Sequence, residues 1–220
     1  MFTQDALYTL MNEFGDKGYL FHSEGDFRFQ LAMGIHELYG NDRAVICEYP
    51  TTILGAEARI DITLWTPEGI LPIELKHQKK NNSSSTTRKN ARNAFYKDVW
   101  RIEYLLYQQN KFGPVGYTIF LTEDSDYWTN VPGGDASAFD MREGSVISGQ
   151  PIWGKEKPHA TMWSAPSPFQ DSYRIAWRDY NKDASLLNGV SRYIVVEVSK
   201  ATLATASARS SGTLAHASRK

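Results

Sequence analysis

The sequence has a single cysteine and no long apolar run, and each of these absences excludes a class of protein. Because Cys47 is the only thiol among 220 residues, the chain can form neither an internal disulfide nor a cysteine-based zinc site. The longest apolar stretches are about seven residues, against the roughly 20 that a membrane-spanning helix needs. Residues 1–5 lack the basic start and apolar centre of a signal peptide. We therefore expect a soluble, cytoplasmic protein without a membrane partner, with Cys47 in its core.

The chain also lacks an excess of charge of either sign. Its formal net charge is −1, which excludes a uniformly basic, histone-like nucleic-acid binder. The charges are unevenly distributed, however. Residues 1–75 carry a net −8, residues 76–97 carry +7 without any acid, and residues 98–220 are balanced. A compact cationic segment of this kind is typical of a surface that contacts phosphate groups.

Length and composition predict one globular domain. Hydrophobic residues make up 41% of the chain and aromatic residues 13%, which is enough for a substantial core. We expect a single domain over residues 1–199 and a flexible tail over 200–220. Within the domain, the segment at about 124–170 is rich in Gly, Pro and Ser without a sustained period, and it predicts a loop-rich insertion.

Hydrophobic periodicity predicts a mixture of helices and strands. Helices are expected over residues 4–14, from an N-cap at Ser23 to about Tyr39, and over 91–109. Strands are expected over 44–49, where Pro50 halts the run, and over 59–65, 70–77, 115–122, 172–179 and 192–198. This order favours an α/β fold, with a mixed sheet and helices packed on its faces.

The most informative feature is the hairpin predicted around the turn at 66–69. Glu74 and Lys76 are two residues apart on one strand, so their side chains point to the same face. Hairpin pairing brings Asp61 beside Glu74, and a divalent ion such as Mg²⁺ takes carboxylate oxygens together with waters and phosphate. The cluster predicts metal-assisted hydrolysis of phosphodiesters. The competing interpretation is a solvated strand face with an ordinary Glu–Lys pair.

This pattern resembles the PD-(D/E)XK nuclease superfamily over roughly residues 22–122. The resemblance implies a restriction-endonuclease-like fold, in which a central mixed β-sheet is flanked by helices in an α/β/α arrangement. It also implies that Asp61 and Glu74 bind Mg²⁺, with Mn²⁺ as a substitute, that the Leu75 carbonyl assists, and that Lys76 is the catalytic lysine. The proline of the family name is absent, because Ile60 precedes Asp61.

The family has a further acid on the helix that precedes the sheet, and two glutamates compete for this role. Glu24 opens the helix and is favoured as a fourth catalytic residue, although it could simply stabilise the helix N-terminus. Glu37 lies near the other end of the same helix and is a secondary candidate. Glu48, on the strand that follows, is either a supporting residue of the site or an outward-facing polar residue.

The cationic segment supplies candidate contacts to nucleic acid: Lys79, Lys80, Arg88, Lys89, Arg92 and Lys97. Their alternative role is to keep a polar loop solvated, and for Lys97 a surface role on the helix. DNA is favoured over RNA by fold analogy alone. The primary hypothesis is therefore a metal-dependent DNA nuclease, endo- or exonucleolytic, which acts as a homodimer or with an activating protein partner. The alternatives are a non-cutting nucleic-acid-binding or scaffolding subunit of this fold, or a nuclease that is active only with a partner.

Overall fold

Two helices, a three-stranded meander, a long helix and a further strand follow one another along the chain. The computed structural model describes residues 2–39, 43–80, 84–151, 167–181 and 190–200, and all structural statements below concern these residues. The elements are α1 (Gln4–Asp16), α2 (Glu24–Tyr39), β1 (Val45–Ile53), β2 (Ala56–Thr66), β3 (Gly69–Gln78), α3 (Ser85–Gln108), β4 (Val115–Thr122), α4 (Asp126–Thr129), β5 (Val146–Ile147), β6 (Tyr173–Arg174), β7 (Arg178–Asp179) and β8 (Arg192–Ser199).

Six of these strands form one mixed sheet in the order β1-β2-β3-β4-β8-β7. β1, β2 and β3 pair antiparallel, β3 and β4 pair parallel, and β8 returns antiparallel on β4. A parallel pair needs a long crossover, and α3 supplies it between β3 and β4. The mixed α/β fold is thereby confirmed. So is the hairpin, in which Ile62 pairs with Ile73 and Thr66 with Gly69.

Two hydrophobic clusters account for the helices around the sheet. One joins α1 and α2 to strand residues such as Ile73 and Leu75. The other joins α3, through residues such as Phe95 and Val99, to Phe120 on β4. Each fully buried side chain of this size stabilises the fold by about 1.5–3 kcal/mol. The two clusters therefore hold β3 between helices that approach from different sides.

Several element boundaries differ from the predicted ones for identifiable reasons. α3 begins at Ser85 rather than near residue 91, because the Ser84 hydroxyl accepts the backbone N–H of Thr87 at 3.1 Å and caps the helix. β1 runs through Pro50 to Ile53. It lies at the sheet edge, where the missing N–H of proline costs no ladder bond. The strand predicted over 172–179 is two short strands, β6 and β7, which belong to different sheets.

The prediction of a buried thiol was wrong. Cys47 is exposed, because β1 is the edge strand and its apolar neighbours Val45 and Ile46 are themselves only half-buried. The apolar residues of β2 do not all pack on the same side of the sheet. Ile62 packs in the cluster of α1 and α2, whereas Ile60 packs in the cluster of α3. β2 therefore changes face at Asp61, which lies between them.

The segment predicted as an insertion is partly built into the core. Its described portion contains α4, a 3-10 helix at Gly134–Ala136 and β5, and the side chains of Tyr127, Phe139 and Met141 are buried in the α3 cluster. Residues 152–166 and the predicted tail beyond Lys200 lie outside the described residues. Within the described parts of the chain, no helix has the length and apolar character needed to cross a membrane.

Candidate active site

The first two turns of α2 present Glu24 and Arg28 to the sheet. The Ser23 hydroxyl accepts the N–H of Asp26 at 3.0 Å, and the Asp26 carboxylate accepts the N–H of His22 at 2.9 Å. These bonds cap the helix at the predicted residue. Because Glu24 and Arg28 are one turn apart, they lie on one face of the helix. The buried side chain of Phe27 anchors this turn in the core.

Asp61 is held at the point where β2 changes face. Its Oδ2 accepts the N–H of Leu75 at 2.8 Å, and its Oδ1 lies 3.2 Å from Nη1 of Arg28. The facing residue on β1 is Glu48, which has a left-handed backbone with φ of 56° and pairs with the same arginine. A residue other than glycine in this region stores strain, and such strain is frequent at functional sites. The secondary candidate Glu48 is thus joined to Asp61 through Arg28.

Glu74 is almost completely buried beside the inner face of α3. It is 2% exposed, and its Oε1 lies 3.0 Å from Nη1 of Arg101. That oxygen has no well-aligned hydrogen bond from any described residue. Burial raises the pKa of the Glu74 carboxyl well above its ordinary value, and the nearby Asp98 raises it further, while Arg101 opposes the shift. Burial therefore favours the protonated form of this carboxyl relative to an exposed glutamate.

The ammonium group of Lys76 is in contact with three oxygen atoms. Its Nζ lies 3.4 Å from Oε1 of Glu24, 3.3 Å from Oδ2 of Asp98 and 3.0 Å from the Leu75 carbonyl. Burial acts to lower the pKa of Lys76, but the charges of Asp98 and Glu24 outweigh it and raise the pKa above its ordinary value. The side chain is therefore a fixed cation at neutral pH, suited to offset negative charge rather than to accept a proton.

Three residues of this cluster were missed by the sequence-based prediction: Arg28, Asp98 and Arg101. Asp98 is 3% exposed and contacts both Lys76 and Arg101, the latter at 3.4 Å. A usable signal existed, because Asp98 occurs inside the apolar stripe of α3 next to Val99, where an unpaired carboxylate is costly. The contacts of the two arginines depend on packing between helix and sheet, for which the sequence has no local signal.

The cluster combines two carboxylates, Asp61 and Glu74, with the Leu75 carbonyl, and these are hard oxygen donors of the kind that Mg²⁺ takes. Among the described residues, no group of three or more His, Cys, Asp or Glu is arranged to hold a metal ion. Mg²⁺ commonly uses one or two carboxylates and retains several waters. Two carboxyl groups and one carbonyl therefore match a Mg²⁺ ion that keeps several waters, and they are too few for an ion enclosed by protein. Arg28 and Arg101 occupy the carboxylates in this conformation.

The remaining predicted residues are dispersed. Glu37 is exposed near the far end of α2, roughly 20 Å along the helix from Glu24 at 1.5 Å per residue. Lys79 and Lys80 follow β3 directly, Lys89 is half-buried on the first turns of α3, and Lys97 is exposed further along it.

Two of the predicted cations contact groups of the protein itself. Arg88 pairs with Asp124 and Asp126. Arg92 is buried: it donates to the Asp126 carbonyl at 2.6 Å and lies over the Tyr127 ring. Arg92 therefore lies against α4 rather than on an exposed cationic surface, and its contact with nucleic acid stays a prediction.

Comparisons with protein-family models, with curated proteins and with solved structures give no match for this chain. Any assignment of function to this protein therefore depends on the geometry of the cluster.

Proposed function

We propose that the protein is a Mg²⁺-dependent nuclease of the PD-(D/E)XK superfamily. The observation that carries this proposal is the meeting of Asp61, Glu74 and Lys76 at the hairpin of β2 and β3, closed by Glu24 from the first turn of α2. Phosphodiester hydrolysis requires positioned oxygen ligands for a metal and a cation for the charge that develops on phosphorus oxygens. The cluster offers both groups in one place.

The topology supports the restriction-endonuclease-like fold. The chain passes through α2, the β1–β2–β3 meander, α3 and the parallel strand β4, and these strands form the central mixed sheet that the resemblance implies. The two hydrophobic clusters provide the helices on the faces of the sheet. A cytoplasmic location remains a prediction from the single cysteine.

Each polar residue of the cluster has a distinct role in this proposal. Asp61, Glu74 and the Leu75 carbonyl would hold the cation, which when bound supplies Lewis-acid polarisation of the phosphate and acidifies water. Lys76 offsets negative charge at the phosphate, and Glu24 orients its ammonium group. Arg28 and Arg101 must release the two carboxylates when the cation binds.

The substrate class in this proposal is nucleic acid, with DNA favoured over RNA. Lys79 and Lys80 lie three and four residues beyond Lys76 at the end of β3, so they are placed to contact phosphates next to the reacting one. Lys89 and Lys97 add positive charge along α3. The proposal also includes either a homodimer or an activating protein partner.

A cleavage assay tests the proposal directly. Plasmid and single-stranded DNA are incubated with the protein in Mg²⁺, in Mn²⁺ and in EDTA. Cutting is expected with either metal and not with EDTA. Asp61→Ala should abolish it, and Glu37→Ala, which removes the same charge from an exposed position far from the cluster, should leave it unchanged. Equal activity of wild type and Asp61→Ala would overturn the metal-site assignment.

A second candidate function is a nucleic-acid-binding or scaffolding subunit that does not cut. The observation that favours it is the contact of Arg28 with Asp61 and of Arg101 with Glu74, because these two arginines occupy the oxygen atoms that a metal ion would need. Calorimetric titration with Mg²⁺ and Mn²⁺ separates the candidates. A nuclease binds the metals and loses this binding in Asp61→Ala, whereas the non-cutting subunit gives no metal-binding heat. A nuclease that binds metal without cutting alone is the partner-activated form.

A further inference from the structure

Two adjoining cavities form a groove along the outer half of β2. One has a volume of about 450 Å³ and lies between the tip of the β1–β2 hairpin and α3; the other has about 810 Å³ and continues along β1. They share Glu57 and Ala58 in their linings. The first cavity ends at Arg101, the residue that contacts Glu74. We refer to both cavities together as the hairpin groove. One of its ends thus adjoins the candidate active site.

The charge of the hairpin groove is opposite to that of the chain as a whole. Four cations line it, Arg59, Lys97, Arg101 and Lys111, against the single acid Glu57. The chain has a net charge of −1. A polyanion is the ligand that such a local excess attracts, and a line of cations along a groove matches the repeated phosphates of a polynucleotide.

The walls of the groove are held by direct contacts. Leu54 and Gly55 both have positive φ, 52° and 81°, and form the two-residue turn at the hairpin tip. The N–H of Leu54 donates to the Tyr104 hydroxyl at 3.3 Å, and the Gln109 amide donates to the Thr52 carbonyl at 2.7 Å. Both partners belong to α3 or follow it directly, so the hairpin is tied to the helix on either side of the groove. The Leu54 side chain is 57% exposed and presents an apolar surface there.

Two of the cations have side chains that are held in place by hydrogen bonds to backbone carbonyls. Arg59 donates to the Glu48 carbonyl at 3.3 Å, and Arg101 donates to the Arg59 carbonyl. The first contact joins the groove to the residue that faces Asp61 on β1. Arg59 and Arg101 therefore connect the groove to the carboxylate cluster.

We propose that the hairpin groove binds the phosphate backbone of a single polynucleotide strand and directs it to the carboxylate cluster. This inference rests on the proposed function for the destination of the strand, and it adds binding by Lys97 and Lys111 to the phosphate contacts proposed for Lys79 and Lys80. Leu54 contributes an apolar surface against which an unpaired base of a single strand can pack.

The test is fluorescence anisotropy with a labelled single-stranded DNA of about 20 nucleotides in EDTA, with a matched RNA and a matched duplex as further probes. The test protein is the double variant Lys97→Glu/Lys111→Glu. The control is Lys17→Glu, which reverses one charge on α1 at a side chain that is 62% exposed and is matched in charge by the single variant Lys97→Glu. We expect Kd to rise at least tenfold in the double variant and less than twofold in the control. The slope of log K against log salt should also become shallower by about 0.7 for each phosphate that the variant no longer neutralises.

Further variants keep the test decisive if the double variant unfolds. Lys97→Glu alone changes only an exposed residue, and Lys97→Arg/Lys111→Arg should retain affinity because charge is conserved. Wild-type affinity in the double variant overturns the inference, as does a preference of the wild type for duplex over single strand. Because EDTA removes the metal, this assay measures binding to the groove without cleavage, and the groove proposal and the nuclease proposal can be refuted independently. A protein that binds through the groove but cuts nothing in any metal refutes the nuclease alone. A protein that cuts but binds independently of the groove refutes the groove alone.

Discussion

Replacement of the Glu74 carboxylate by an amide separates the folding role of this side chain from its proposed chemical role. Glu74 is 2% exposed, and burial together with Asp98 raises the pKa of its carboxyl well above the ordinary value. In the unfolded chain the group ionises near its usual pKa of about 4.3. At pH values above that, folded protein retains a proton that unfolded protein has lost. The free energy of unfolding of the metal-free protein therefore falls as pH rises, and Glu74→Gln removes this dependence.

The size of the effect has an upper limit set by one proton. A difference of one bound proton changes the free energy of unfolding by at most about 1.4 kcal/mol per pH unit. Between about pH 5 and pH 7 the variant should gain at most about 3 kcal/mol relative to wild type, the limit for one proton over two pH units. In a protein of this size that corresponds to about 5–10 °C in Tm. Arg101 keeps a partner in the variant, because Asp98 lies 3.4 Å from its Nη1.

Urea unfolding in EDTA at several pH values between about 5 and 8 measures this difference. Glu13→Gln is the matched control, because Glu13 lies on α1 with a half-exposed side chain and its substitution should leave the pH dependence unchanged. Glu74→Gln should also lose cleavage while it gains stability. A stability difference that is constant with pH, or a variant less stable than wild type at pH 7, would refute the argument that the buried carboxyl holds a proton.

The same contacts predict the behaviour of three other variants. Lys76→Ala should reduce the cleavage rate by at least about 10²-fold while calorimetry still detects metal binding. The reason is that the proposal places the lysine at the phosphate and not at the metal, and full activity of the variant would contradict this role. Asp98→Asn should lower kcat about 10- to 100-fold with little change in KM, since it weakens the positioning of Lys76; a change in KM alone would argue against it. Glu103→Ala should destabilise the protein by about 3 kcal/mol in urea unfolding. The buried carboxylate accepts hydrogen bonds from the N–H groups of Gln170 and Asp171 and from the hydroxyl of Tyr173. Glu103→Gln should be less destabilising.

Much of the site was predictable because it depends on local rules. The alternation of side chains in β3 puts Glu74 and Lys76 on one face, and the short turn at 66–69 sets the register that places Asp61 opposite them. Ser23 marks the first turn of α2 and so locates Glu24. Each of these features is determined within a short stretch of chain, where backbone geometry alone relates the residues.

The sequence by itself thus determined the helices, the hairpin and the three residues at its centre, together with a mixed α/β fold. Only the tertiary structure decided which strand is the sheet edge, and hence that Cys47 is exposed and that Pro50 is tolerated in β1. It also decided that Arg92 is buried and that Asp98 and Arg101 meet Glu74. These contacts join residues on different elements. They depend on how the hydrophobic clusters pack α3 on the sheet, and the hydrophobic periodicity of a single element does not predict that packing.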